Sequence, residues 1–219
     1  CTLRFDPAVL LPHIGLPPVA PADGNPRVTV CPCDYHSVVG DGQDDLDRLR
    51  HDRTAEALNR VMYRTSSGVG LLAFNGHPRI GDSRAIARIR EGLRQPNRVE
   101  VALYDPNPLN AYQRIRESEC VLATRLHSAI FAFTAGVPFV SLCYHRKVAD
   151  FAAMAGVEDR FVFDADNFDP AELAEAIEVA IGNPESFRTS LDPVSARREA
   201  EQGFVDLADT TALRGVEAR

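Results

Sequence analysis

The stretch with the most chemistry in this sequence is ATRLHSAIFAFTAGVPFVSLCYHRK, residues 123–147. Arg125 and His127 stand before an apolar run, and His145, Arg146 and Lys147 stand after it. Arginine presents a planar fork that can grip a carboxylate or phosphate at two points, and lysine adds a compact charge. The first turn of a helix offers free backbone N–H groups and a dipole that favours an anion. Histidine titrates near neutral pH and can carry a proton in either direction. Together these types suit a small anion held next to a proton shuttle. An Arg-x-His at a helix start also serves commonly as a surface cap and salt bridge, so position in the fold has to decide.

The surrounding elements alternate. RVTVCP (27–32) reads as a strand, residues 44–67 as a helix with Leu46, Leu49, Ala57, Leu58 and Val61 on its apolar spacing, and GLLAFNG (70–76) as a buried strand. Residues 82–95 form a helix headed by Asp82 or Ser83, 98–105 a strand, 107–119 a short helix, and 120–124 a strand. A buried helix over 126–135 ends at Gly136, followed by a strand over 138–144, a helix over 147–156, a short strand over 160–164 and a helix over 169–182. Short apolar strands separated by helices imply a parallel sheet covered on both faces. The fold expected is therefore α/β, a Rossmann-like doubly wound parallel sheet of about six strands. The Pro-rich residues 1–26 read as a linker or the end of a preceding domain, outside the core; 27–183 as a Rossmann-like domain; and 184–219 as a helical tail that braces it.

In such a sheet ligands bind beyond the carboxyl ends of the strands. Arg125 directly follows one strand and Lys147 closely follows the next, with His127 in the first turn of the helix between them. All three are expected on one rim. His77, after the second strand, is expected there too.

The chain has 219 residues and a formal net charge of −7. That balance argues against a general nucleic-acid binder, which needs a basic face, but leaves room for a local basic pocket. No apolar run approaches the roughly 20 residues that span a bilayer, and no charged-then-apolar leader opens the sequence. The five cysteines are scattered, with Cys31 and Cys33 too close for the usual Cys-x-x-Cys pair. They read as reduced thiols of a cytoplasmic protein. No carboxylate or His/Cys cluster suggests a metal, and no cofactor is expected. The first residue is Cys, and the chain is expected to be the C-terminal part of something longer.

The stretch RLHSAIFAFTAGVPFVSLCYHRKV resembles the signature of the polysaccharide pyruvyl transferase family. Arg125, His127, Gly136, Val137, Pro138, Tyr144 and Lys147 match it in order and spacing. DPAVLL (6–11) and HPRIGDSRAIARI (77–89) resemble two further family segments. The resemblance implies a GT-B-like architecture of two domains with the site in the cleft between them, this chain being nearly all C-terminal domain and the preceding N-terminal domain missing. It implies transfer of a pyruvyl group from phosphoenolpyruvate to two hydroxyls of a cell-surface or exopolysaccharide sugar. It assigns the anion to Arg125, Lys147 and the backbone near Leu126, the acid/base role to His127, and contacts to Tyr144, His145 and Arg146, the last two equally readable as solvated loop residues. The family often carries a basic residue just after the first strand of this domain. Here Asp34, Tyr35 and His36 stand there, so either His36 substitutes, or Arg27 reaches in, or the site is altered. Two other readings stay open. One is a GT-B glycosyltransferase using a nucleotide-sugar, although CYHRKVADF lacks the glycines and Glu such enzymes carry. The other is a non-catalytic domain binding a sugar or a partner protein.

Overall fold

The computed structural model describes residues 6–13, 27–40, 43–203 and 205. The remainder of the Pro-rich stretch and of the tail lies outside the described residues. Six parallel strands form one sheet: β1 (Arg27–Cys31), β2 (Gly68–Leu72), β3 (Val99–Ala102), β4 (Cys120–Ala123), β5 (Phe139–Cys143) and β6 (Val162–Asp164). Their order is β3-β2-β1-β4-β5-β6, as expected for a doubly wound α/β sheet. Val101, Leu71, Val30, Leu122 and Val140 lie in one row across the register. The central strands are buried almost throughout while the edge strands β3 and β6 are half-open, so the sheet is covered on both faces only at its middle.

The helices are α1 (His36–Val39), α2 (Asp44–Arg64), α3 (Ser83–Gly92), α4 (Pro108–Arg116), α5 (Leu126–Ala135), α6 (Arg146–Ala155) and α7 (Pro170–Gly182). In one layer α2 packs against α3 and α7; in the other α5 packs against α4 and α6. The spacing of 126–135 predicts α5 to the residue. Gly136 closes it in the left-handed conformation at φ 69°, and Val137 N–H returns to the Ala132 carbonyl. None of the helices among the described residues is long and apolar enough to cross a membrane.

Four departures from the sequence reading have clear causes. Strand β2 ends at Leu72 rather than 76 because the Asp82 carboxylate takes the Phe74 and Asn75 amides at 2.7 and 2.9 Å. Strand β3 ends at Ala102 rather than 105, and the chain then turns at Asp105, which accepts from the Asn107 amide. The segment Pro7–His13 is a 3-10 turn against α5 with Val9 fully buried, so part of the stretch read as lying outside the core belongs to it. A helix over 193–203 buries Ala196 and Ala200, as a brace would.

The fourth departure lies in α2. Its buried stripe begins not with Leu46 and Leu49 but with Asp47, Arg50, His51 and Thr54, and Leu49 is 42% exposed. Arg50 is 2% exposed, and its guanidinium meets Asp47 at 3.0 Å, Asp166 at 2.7 Å, and the Ala165 and Cys33 carbonyls at 3.3 and 3.4 Å. One arginine therefore ties the loop after β1 to the loop after β6. Replacing it by an apolar side chain leaves Asp47 buried without its cation, which costs about 3–5 kcal/mol. Arg50→Met is expected to lose at least about 3 kcal/mol in urea unfolding followed by circular dichroism. A loss below about 1 kcal/mol would show that the loops hold without it.

Candidate active site

The order of strands reverses between β1 and β4, and the loops after these two strands frame the crevice there. Arg125 is the first residue of that rim on the β4 side. It is the N-cap of α5, in extended backbone conformation, and its side chain is 24% exposed. Its guanidinium is held by Asp82: Nε donates to both carboxylate oxygens at 3.0 and 3.1 Å, and Nη2 donates to Oδ1. Asp82 is completely buried. It sits at the backbone N-cap position of α3, as the sequence suggests, but its side chain does not cap that helix. It collects two amides of the β2 loop and the arginine instead. Although burial disfavours the charged guanidinium, the bonds to Asp82 raise its pKa, and Arg125 is a fixed cation at any cellular pH. The Nη1 edge has no protein partner among the described residues.

The first two amides of α5, Leu126 and His127, precede the first bonds back to the Arg125 carbonyl, which come from Ser128 and Ala129. His127 is exposed in this turn, its ring 6.5 Å from that of Phe131. Arg125, Leu126 and His127 therefore present a cation, free N–H donors and an imidazole within one turn.

On the β5 side, Tyr144 packs on Tyr35 at 5.0 Å between ring centroids, with the Arg50 guanidinium 6.0 Å from its ring. Burial first, and then the Cys33 thiol beside it, push the Tyr144 hydroxyl up to about 12, so it is a neutral hydrogen-bond donor. The buried Cys33 thiol is likewise pushed up to about 12 and is no nucleophile. His145 caps α6, its Nδ1 accepting from the Lys147 amide at 3.1 Å, and Arg146 pairs with Asp150 one turn on. Both are accounted for by the helix they begin. The Lys147 ammonium is exposed and has no carboxylate partner among the described residues.

Three expected contributors sit differently. His36 lies in the crevice wall but is buried, with Nε2 3.1 Å from Asp166, and is part of the frame rather than a free positive group. Arg27 opens β1, about 13 Å of strand away from the rim, and pairs with Glu100; it does not reach the crevice. His77 is exposed on the β2 loop, its Nδ1 accepting from the Arg79 and Ile80 amides at 3.2 and 3.3 Å. Asp34 bridges His51 and Arg84. Among the described residues no group of three or more His, Cys, Asp or Glu could hold a metal ion.

A family model for polysaccharide pyruvyl transferase matches residues 2–146. The chain belongs to that family. No curated protein matches it. Among solved structures it resembles a putative UDP-N-acetylglucosamine 2-epimerase from Listeria monocytogenes, with a TM-score of 0.60 at 12% identity over 86% of this chain and 46% of that one. It also resembles the UDP-GlcNAc 2-epimerase of Neisseria meningitidis, bound to UDP-GlcNAc, with a TM-score of 0.58 at 12% identity over 91% and 47%. The sucrose-phosphate synthase of Thermosynechococcus elongatus follows at 0.52 and 17%, over 96% and 48%. The fold is thus that of GT-B enzymes, and the chain spans about half the length of these structures.

Sequence reasoning missed Asp82 as the anchor of Arg125 and Arg50 as the anchor of the β1 loop. The signal for Arg50 was present, since Asp47, Arg50, His51 and Thr54 continue the helical spacing of Leu58 and Val61. Nothing in the sequence linked Asp82 to Arg125, 43 residues away.

Asp82→Asn keeps the shape and removes the charge opposite Arg125. It is expected to lose about 2–4 kcal/mol in urea unfolding, and a loss below about 0.5 kcal/mol would show that the pair does not hold the rim. A second test uses pH. Burial opposes the charge of Asp47 and of Asp166, but the Ser37 and Tyr35 amides with Arg50 for the first, and Arg50 with His36 for the second, hold both carboxyls below the ordinary value. A depressed carboxyl stabilises the fold above its unfolded value of about 3.9 and loses that contribution as pH falls toward its folded value. The urea midpoint is expected to fall between pH 5 and pH 3, and to fall less in Asp166→Asn.

Proposed function

We propose that this chain is the donor-binding part of an enzyme that transfers a pyruvyl group from phosphoenolpyruvate to two hydroxyls of a sugar, forming a cyclic ketal and releasing phosphate. The observation that carries this reading is the first turn of α5 at the strand-order reversal. There a fixed cation, free amides and an imidazole are contiguous, within the stretch the family model matches. Phosphoenolpyruvate brings a carboxylate and a phosphate. The open edge of Arg125, the Leu126 and His127 amides, and Lys147 from the neighbouring turn supply complementary charge, and Tyr144 supplies a neutral donor.

The reaction adds one sugar hydroxyl, with loss of its proton, to the carbon that bears the phosphate ester, while a proton reaches the methylene carbon and makes it a methyl group. Cleavage of the bond between that carbon and the phosphate oxygen releases phosphate and leaves a cationic carbon; the second hydroxyl closes on it and its proton leaves with the phosphate. His127 is the group that moves protons in this scheme, and the anchored Arg125 neutralises the departing phosphate. The loop after β5, Cys143 to Lys147, has neither glycine nor glutamate to hold a ribose, which favours phosphoenolpyruvate over a nucleotide-sugar. A fold shared with enzymes of UDP-sugars at 12% identity does not alter that.

The test is calorimetric titration of the full-length protein with phosphoenolpyruvate and, separately, with UDP-N-acetylglucosamine. Phosphoenolpyruvate is expected to bind, at least about tenfold more weakly in Arg125→Ala, and within about threefold of the original in His127→Ala, which instead loses turnover. Binding of the UDP-sugar without binding of phosphoenolpyruvate would overturn the reading.

A further inference from the structure

A cleft of 380 Å³ opens beside His127, between the loops after β2 and β3 and the helices α4 and α5. Phe74, Tyr104, Pro106, Pro108, Phe131 and His127 make most of its wall. Among the described residues no lysine or arginine lines it. The one carboxylate among its described lining residues, Asp105, is already used: Oδ1 accepts from the Asn107 amide at 2.8 Å and Oδ2 from Asn110 Nδ2 at 2.7 Å. The cleft therefore does not match the charge of an anionic donor. It matches a neutral molecule with an apolar face.

We infer that this cleft is the subsite for a pyranose ring of the acceptor glycan, a reading that rests on the pyruvyl-transfer proposal. A pyranose is neutral and presents a face of C–H groups that lies flat on an aromatic ring, with hydroxyls around its edge. The walls are built in advance for such a face. The Tyr104 ring lies directly on Gly76, where a Cβ would come within 2.3 Å of the ring, so that glycine lets the tyrosine adopt its place. Tyr104 is 48% exposed, so its ring is open to a ligand. Phe131 is held edge-on by Tyr112 at 5.4 Å and packs on Phe74 at 5.7 Å.

The cleft is continuous with the proposed donor site through two residues. Phe74 lines it with its ring while its amide is bound by Asp82, the anchor of Arg125. His127 borders it with its imidazole while its amide belongs to the free first turn of α5. A ring seated here lies beside the residue assigned to proton transfer, and the donor's cation, Arg125, stands two residues before it at the start of the same helix. A 380 Å³ volume takes one sugar ring with room for its substituent, in the range of ordinary small-molecule sites.

The experiment is saturation-transfer NMR on the full-length protein with the methyl pyranosides of glucose, galactose and mannose, run beside the phosphoenolpyruvate titration. At least one of the three is expected to receive saturation at its ring C–H protons. Tyr104→Ala is expected to reduce that signal at least about fivefold while leaving the affinity for phosphoenolpyruvate within about twofold. In turnover, the same variant raises the acceptor KM and leaves the phosphoenolpyruvate KM unchanged. Phe131→Leu gives a second wall variant, and circular dichroism confirms that each is folded. Phosphoenolpyruvate binding with no pyranoside signal, or a signal indifferent to both variants, overturns the subsite and leaves the donor reading standing. Pyranoside binding lost in Tyr104→Ala, with no phosphoenolpyruvate binding in any form, supports the sugar site and overturns the donor reading alone.

Discussion

The buried carboxylate of Asp82 is the interaction on which the rim depends. A charge with no exposure at all persists only when its lone pairs are filled, and here two backbone amides and an arginine fill them. These bonds do two structural jobs. They end β2, and they fix the guanidinium at the entrance of α5. Satisfying one buried charge thus couples the end of β2 to the entrance of α5.

Arg50 does the corresponding work on the other side of the crevice. It is the buried cation of the pair of loops after β1 and β6, with Asp47 and Asp166 as its counter-ions and Tyr144 stacked near its face. His36 joins this frame through Asp166. The segment Asp34–His36, where the family often has a basic residue, is thus occupied by structural ion pairs. The positive charge of the crevice enters from the β4 and β5 sides, at Arg125 and Lys147. The two frames also differ in exposure: Arg50 is sealed, whereas the Arg125 side chain is 24% exposed.

The likeness to UDP-sugar enzymes and the membership of the pyruvyl transferase family are compatible because they concern different levels. A doubly wound sheet offers a crevice at its strand-order reversal to whatever anion its loops are built for. The loops here carry an Arg-Leu-His turn and a Tyr-His-Arg-Lys turn in place of a glycine-rich nucleotide loop.

What the sequence determined by itself is the alternation of elements and the place of the Arg125–His127 turn. Short apolar runs, Gly136 and Gly156 as helix stops, and Asp169 as a side-chain cap are local signals, and local interactions enforce them. Arg125, Leu126 and His127 were legible for the same reason: they follow a strand and begin a helix. Tertiary structure alone decided which cations are free. Asp82 takes up Arg125 across 43 residues, Asp166 takes up Arg50 across 116 and His36 across 130, and Glu100 takes up Arg27 across the sheet. It also decided that Phe74, Tyr104 and Phe131, from three separate segments, line one cleft with His127. Pairing of charges and closure of a cavity depend on distances between segments, and a pattern of residue types along the chain carries no such distances.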